Sequence, residues 1–185
     1  MSKILVDTID TRSGTSTLTL GSSNAGTIAL GSGDVQSNFL QPSFAAKMSG
    51  TQQLANDTTT KIAYDTEVYD TDSAYDHSSN YRFTVPSNKG GKYFIGASVR
   101  SGNMADTKKI NMYLHVNGSE VAEHFAQVVS SNTNEQYTVG VFKVLNLSAS
   151  DYVEVFVLHQ NGAAVNFSSS SSIGSFFYGY RLIGA

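Results

Sequence analysis

The 185-residue chain contains no cysteine and no tryptophan, and only 2 prolines. Without cysteine it forms no disulfide, no thiolate metal site and no cysteine nucleophile. Charge is scarce as well. Asp, Glu, Lys and Arg make up 15% of the residues, against about 25% in ordinary soluble domains. Twelve Lys and Arg face 15 Asp and Glu, a formal net charge of −3. There is no basic excess to recruit phosphates, so nucleic acid is not an expected partner. Long apolar runs are missing too. They extend over a few residues, where a helix crossing a bilayer needs about 20, and no membrane insertion is expected. The opening MSKILVDTIDTRSG places Asp7 and Asp10 directly after Ile4-Leu5-Val6. It lacks the apolar stretch of a secretion signal.

Hydroxyls and rings take the place of charge. The chain has 26 Ser, 16 Thr and 16 Gly, with 10 Tyr and 10 Phe in a 40% hydrophobic composition. That is too apolar for a disordered chain. β-branched and aromatic residues favour strands, and Gly, Ser and Asn favour turns, so the expected class is all-β.

Residues 1–40 differ from the rest. They hold no Tyr, and Phe39 stands at their boundary. Thr17-Leu18-Thr19-Leu20-Gly21 recurs ten residues on as Thr27-Ile28-Ala29-Leu30-Gly31. Leu18, Leu20, Ile28 and Leu30 alternate with polar residues, the period of a strand with one apolar edge. Two such strands bury too little to stand alone. The expectation is a short β stalk or anchor over 1–40, its apolar edge wrapped against other copies. A hairpin folded onto the main domain is the alternative.

Residues 41–185 read as a head of short strands. The pattern predicts strands at 43–47, 61–68, 81–85, 93–99, 108–116, 119–129, 137–145, 152–159, 163–168 and 176–183. Asn117-Gly118 and Asn161-Gly162 are hairpin signals. Many short strands separated by such turns point to a β-sandwich.

The order of small motifs in the head resembles the complement C1q domain, the jelly-roll module shared in fold with tumour necrosis factor. Pro42-Ser43-Phe44-Ala45-Ala46 resembles the opening strand of that family. Phe83-Thr84-Val85-Pro86, followed by Gly91-Lys92-Tyr93-Phe94-Ile95, is similar to its central signature, with Pro and Gly spaced more widely. Leu145, Leu147, Asp151, Val153 and Val155 resemble its Leu-x-Leu-x-x-Gly-Asp-x-Val segment, with Ser150 in place of Gly. Phe177-x-Gly179-x-x-Leu182 is similar to its last strand. The resemblance covers about 145 residues and implies a jelly-roll β-sandwich that assembles as a homotrimer at the tip of a stalk. The stalk is not collagen, since no Gly-x-y repeat is present. Ile4-Leu5-Val6-Asp7-Thr8-Ile9 and the Leu-x-Leu-Gly echoes instead resemble the anchors of tail-fibre-like proteins of bacterial viruses.

Candidate residues follow from both readings. Phe44, Phe83, Tyr93, Ile95, Val153, Val155, Phe177 and Tyr180 are expected in the head core or a subunit interface. The strand around Phe176-Phe177-Tyr178 carries rings on both faces and is expected to be covered on both, with Arg181 needing a carboxylate or carbonyl partner. Asp65, Asp70, Asp72 and Asp76 lie in an acid-rich stretch and are weak candidates for calcium. Tyr69 and Tyr75, beside carboxylates, are candidates for a ligand loop touching a host-surface glycan. No other cofactor is expected. No serine elbow, phosphate loop or His pair marks an enzyme. The expected function is therefore non-enzymatic: a virion structural protein, assembled in the host cytoplasm. Residues 1–40 would anchor it to a larger virion protein, and the head would attach to a host surface. A capsid decoration or head-fibre protein, and a free lectin-like module, are the alternatives.

Overall fold

The computed structural model describes residues 41–129, 135–168 and 174–182. The chain divides into two units, Met1–Phe39 and Leu40–Ala185, and all described residues belong to the second. Leu18, Leu20, Ile28 and Leu30 lie outside the described residues.

Thirteen strands and no helix are found among the described residues: β1 (Ser43–Lys47), β2 (Thr51–Leu54), β3 (Thr60–Lys61), β4 (Thr66–Asp70), β5 (Tyr75–Asp76), β6 (Arg82–Thr84), β7 (Gly91–Met104), β8 (Lys109–Val116), β9 (Ser119–Gln127), β10 (Glu135–Leu147), β11 (Tyr152–His159), β12 (Val165–Ser168) and β13 (Phe176–Arg181). They form two antiparallel sheets. The first runs β2-β12-β7-β13-β1-β4, with β10 on the other edge of β7. β7 is long enough for β13 and β12 to follow one another along one edge, at 93–98 and 100–101, while β10 accompanies the other from Gly91 to Met104. The second sheet runs β5-β6-β11-β8-β9, with β3 beside β11. This is the jelly-roll sandwich that the motif order implies.

Alternation explains which face of each strand turns inward. In β11, Val153, Val155 and Val157 are fully buried. In β8, Leu114 and Met112 stand opposite Val155 and Val157 and are equally buried, and Ile110 stands opposite the buried His159. Asn117 and Gly118 join β8 to β9 with φ of 51° and 80°. That pair of left-handed residues matches the twist of the flanking strands. The core is aromatic at one end. Phe44 stacks on Phe83 at 4.5 Å and on Tyr75 at 5.3 Å, and Phe177 meets it edge-on at 4.9 Å. Gly179 sits beneath this cluster. A Cβ there would lie 2.6 Å from Ile95 Cδ1 and 2.9 Å from Phe44 Cε1, so the position has no room for a side chain.

The single strand read over 61–68 is two strands in different sheets. β3 pairs with β11 and β4 pairs with β1. Ile62 and Tyr64, between them, both point into the core, so the alternation continues while the backbone crosses the sandwich. β7 extends past Val99 to Met104, and β2 and β5 are additional short strands.

The first and last strands of the head are tied together. The Arg181 N–H donates to Pro42 O at 2.9 Å. Its guanidinium donates to Gln41 Oε1 at 3.0 Å and to Gly90 O at 2.6 Å. Arg181 thus takes a carbonyl and an amide oxygen rather than a carboxylate. Its Nε lies over Gly91, where a Cβ would approach to 2.8 Å.

Candidate subunit interface

Strand pairing sets the outer face of the first sheet, because residues directly opposite one another share a face. One row across it reads Tyr69, Ala45, Tyr178, Gly96, Phe142. The next, toward one end, reads Ser43, Tyr180, Phe94, Val144. Toward the other end it reads Lys47, Phe176, Ser98, Gly140. Lys47 is the sole charged side chain among these three rows. The rest is ring, methyl, hydroxyl or bare backbone.

The rings gather round Phe94. Tyr180 lies 5.5 Å from it, Tyr178 6.1 Å and Phe142 6.4 Å, and Phe176 is 5.5 Å from Tyr178. Tyr178 lies down on the sheet because Gly96 is beneath it. A Cβ at Gly96 would come within 2.8 Å of Tyr178 Cζ and Oη. The result is a low aromatic surface. Phe142 is 71% exposed, Val144 50%, Tyr69 49%, Tyr180 44% and Phe176 38%. Scattered surface hydrophobics are ordinary, but a contiguous aromatic face marks an interaction surface.

The sequence candidates separate on this geometry. Phe44, Phe83, Tyr93, Ile95, Val153, Val155 and Phe177 are buried in the core of the single chain. Tyr180 is on the outer face. The last strand is covered on its inner side by the core and left uncovered on its outer side within one chain. Tyr69 belongs to the same outer face, beside Ala45. Tyr75 does not offer its ring to a ligand. It is 5% exposed, stacked on Phe44, and its hydroxyl donates to Tyr64 O at 3.0 Å. Burial pushes that hydroxyl well above the ordinary tyrosine range. Tyr93 is shifted likewise, up to about 12, by burial. Phe94, Phe142 and Val144 are outward-facing residues that the sequence reading does not single out, while Phe176 and Tyr178 lie in the ring run 176–178 that it reads as carrying rings on both faces.

The four calcium candidates do not converge. Asp65 accepts the Ser49 N–H and hydroxyl, both at 2.6 Å. Asp70 accepts the N–H groups of Asp72 and Tyr75 at 3.0 and 2.6 Å. Asp72 accepts the Thr71 hydroxyl at 2.7 Å. Asp76 accepts the N–H groups of Ser78, Ser79 and Asn80. Asp70, Asp72 and Asp76 serve their own turns and Asp65 holds the Ser49 segment, and no group of three or more His, Asp or Glu among the described residues is placed to hold a metal ion. An acid-rich stretch is dense along the chain, but in this fold its oxygens cap separate loops.

No protein-family model matches the chain, and no curated protein matches it in sequence. Solved structures do. The tumour necrosis factor Eiger of S. frugiperda matches at 15% identity with a TM-score of 0.55, covering 79% of this chain and 94% of that one. The globular domain of zebrafish complement 1qA matches at 14% identity and 0.53, covering 76% and 97%. Murine APRIL matches at 13% identity and 0.55, covering 77% and 100%. The head therefore has the jelly-roll fold of the C1q and tumour necrosis factor domains.

Proposed function

We propose that this chain is a non-enzymatic structural protein of a bacterial virus particle, a homotrimer whose heads meet through the aromatic face of the first sheet. Residues 1–40 anchor it to a larger virion protein, and the head attaches to the host surface. The observation that carries the assembly is the aromatic face centred on Phe94, whose three rows hold one charged side chain, Lys47. Covering its rings gains roughly 25 cal/mol per Å² of apolar surface. Its most exposed groups stand at opposite margins, Phe142 and Val144 on β10 and Tyr69 on β4. Two different margins suit a head-to-tail contact that closes as a ring, rather than one patch facing itself. The sequence supports the particle setting: no cysteine, a Leu-x-Leu-Gly repeat, and an opening similar to those of fibre-like proteins. A ring of three heads then binds a surface by avidity, with no strong single site required.

Native mass spectrometry tests the assembly. Three times the 19.8 kDa chain is expected, and a monomer at all micromolar concentrations overturns it. Gold-labelled antibody on purified particles tests the location. The shortness of the repeat, two decads, favours a second reading in which the anchor clamps the shell as a capsid decoration. Copy number distinguishes the two: hundreds per particle indicate the shell, and a small multiple of three a tail.

A further inference from the structure

On the other side of the sandwich, beside β6, lies a polar cleft of about 470 Å³. That is within the range of small-molecule sites, about 300–1,000 Å³. Asp72, Asn80, Arg82, Thr84, Ser87 and Ser150 are among the residues that line it. We propose that this cleft binds a carboxylated sugar, with the carboxylate on the Arg82 guanidinium and the ring hydroxyls on Asp72 and the surrounding Ser, Thr and Asn groups.

Arg82 carries the inference. It stands directly opposite Asp76 in the β5–β6 pair, where a cross-strand ion pair is the ordinary outcome. The pair does not form, because Asp76 is already taken. One of its oxygens accepts the N–H groups of Ser78 at 3.0 Å and Ser79 at 2.9 Å. The other accepts the Asn80 N–H at 3.1 Å and the Asn80 side-chain amide at 2.7 Å. Among the described residues Arg82 has no ion pair and no hydrogen bond. Its guanidinium lies over the Tyr152 ring, 4.3 Å from the centroid. A guanidinium laid on an aromatic face is pre-oriented, and its N–H fork matches a carboxylate.

The rest of the cleft asks for hydroxyls. Thr84, Ser87 and Ser150 present oxygens that donate or accept, and Asn80 presents an amide. One Asp72 oxygen accepts the Thr71 hydroxyl, and the other has no hydrogen-bond partner among the described residues. A free carboxylate oxygen repels an anion but accepts from a sugar hydroxyl. A ligand carrying both one carboxylate and several hydroxyls therefore fits better than either group alone. The walls are also held in sparsely populated backbone. Ser73 and Ser150 have φ of 52° and 73°, and Tyr81, next to Arg82, has φ of 51°. For a bulky residue that conformation is an outlier of the kind that concentrates at binding sites. Thr84 and Tyr152 face each other on the outside of the second sheet, so the cleft stays open when the first sheet's face is covered.

This inference deepens the attachment reading and depends on it only for the source of the sugar. Amide chemical shifts of the full-length protein are titrated with D-glucuronate, N-acetylneuraminate, D-glucose and acetate. The expected result is saturable shifts at Asn80, Arg82 and Ser87 with one of the two sugar acids, and at least about tenfold weaker effects with glucose and with acetate. Arg82→Gln should weaken the sugar acid about tenfold, the loss of a charge-assisted fork. Ser87→Trp, at an exposed position with no hydrogen bond to lose, should abolish binding with an unchanged melting midpoint. The proposal is overturned by the absence of shifts at those residues, by acetate binding as well as the sugar acids (an adventitious anion only), or by full binding in a folded Ser87→Trp protein. A native mass from the same sample keeps the two readings apart. A trimer that ignores sugar acids removes this proposal alone, and a monomer that binds them removes the proposed assembly alone.

Discussion

The two outer faces of the sandwich both carry aromatic rings, and they treat them differently. On the first sheet Phe142, Tyr178 and Tyr180 pack around Phe94, and among the described residues no cation lies over any of these rings. On the second sheet each ring has a polar companion from the same chain. Lys61 Nζ stands 5.9 Å from the Phe156 centroid, Lys109 5.8 Å from Phe125, and Arg82 4.3 Å from Tyr152. His115 stacks on Phe156 at 4.3 Å. Lys61 is held at 2.6 Å by Glu154, and Asn111 by Glu123. A ring shaded by a cation is content in water, gaining about 0.5–1 kcal/mol there. A ring that touches only other rings gains by losing its water. The contrast is the one expected if the first face meets protein and the second meets solvent.

A charge placed on the first face is the strongest way to break that contrast. Phe142→Glu should cost about 3–5 kcal/mol per contact by burying an unpaired carboxylate. Sedimentation should then show single chains, where the proposed assembly predicts three for the parent. Phe125→Glu, the matching change on the second face, should leave the mass unchanged. If both dissociate the protein, the faces are not distinct. A smaller effect is expected at Gly96. Gly96→Ala pushes a Cβ into Tyr178 and lifts the ring, at a cost of about 1–3 kcal/mol by overpacking. It should weaken assembly more than it lowers the melting midpoint of an isolated head. On the second face, Lys61→Met removes the partner of the nearly buried Glu154. Because Lys61 is itself about one-third exposed, solvent screening reduces the loss to about 1–2 kcal/mol, read as a lower urea midpoint with no change in mass.

Acid gives the smallest effect. The N–H groups of Ser79 and Ser78 hold the Asp76 carboxyl well below its usual range. The Asn117 side chain and the Ser148 N–H also lower the Asp151 carboxyl. A carboxyl depressed in the folded state stabilises above its unfolded pKa, about 3.9, and loses that contribution as pH falls toward the folded value. Both groups are open to solvent, so the melting midpoint should be flat from pH 7 to about 4 and slip by a few degrees below it. Asp76→Asn should flatten that slope.

How much of this was legible in the sequence depends on whether a feature is local. The strand patterns at 43–47 and 152–159 coincide with β1 and β11, because alternation and a flanking Pro or Asp are local signals. The change of sheet between Lys61 and Thr66 was not legible. Ile62 and Tyr64 keep the same inward period whichever sheet the backbone joins. Ser150 stands where the resembled family has Gly, and its φ of 73° shows the turn kept without the residue that makes it easy. At the candidate interface, the ring run 176–178 announced a two-sided strand. That Phe142 and Tyr69 extend the same face required the register of β10 on β7 and of β4 on β1. The acidic stretch failed as a calcium signal for the same reason: closeness along the chain says nothing about which loop each carboxylate will cap.

The clasp between Arg181 and Gln41 bears on how the head carries load. Gln41 opens the head and leads directly into β1, which is hydrogen-bonded on both edges, to β13 and to β4. A tug applied at residue 41 along the strand cannot peel β1 away one bond at a time. It must slide two antiparallel ladders at once, after first freeing the guanidinium that grips Gln41 and Gly90. Shear of that kind is the stiff direction of a sheet. Single-molecule stretching from residue 41 should yield a higher rupture force than stretching between β8 and β9, whose hairpin opens from one end.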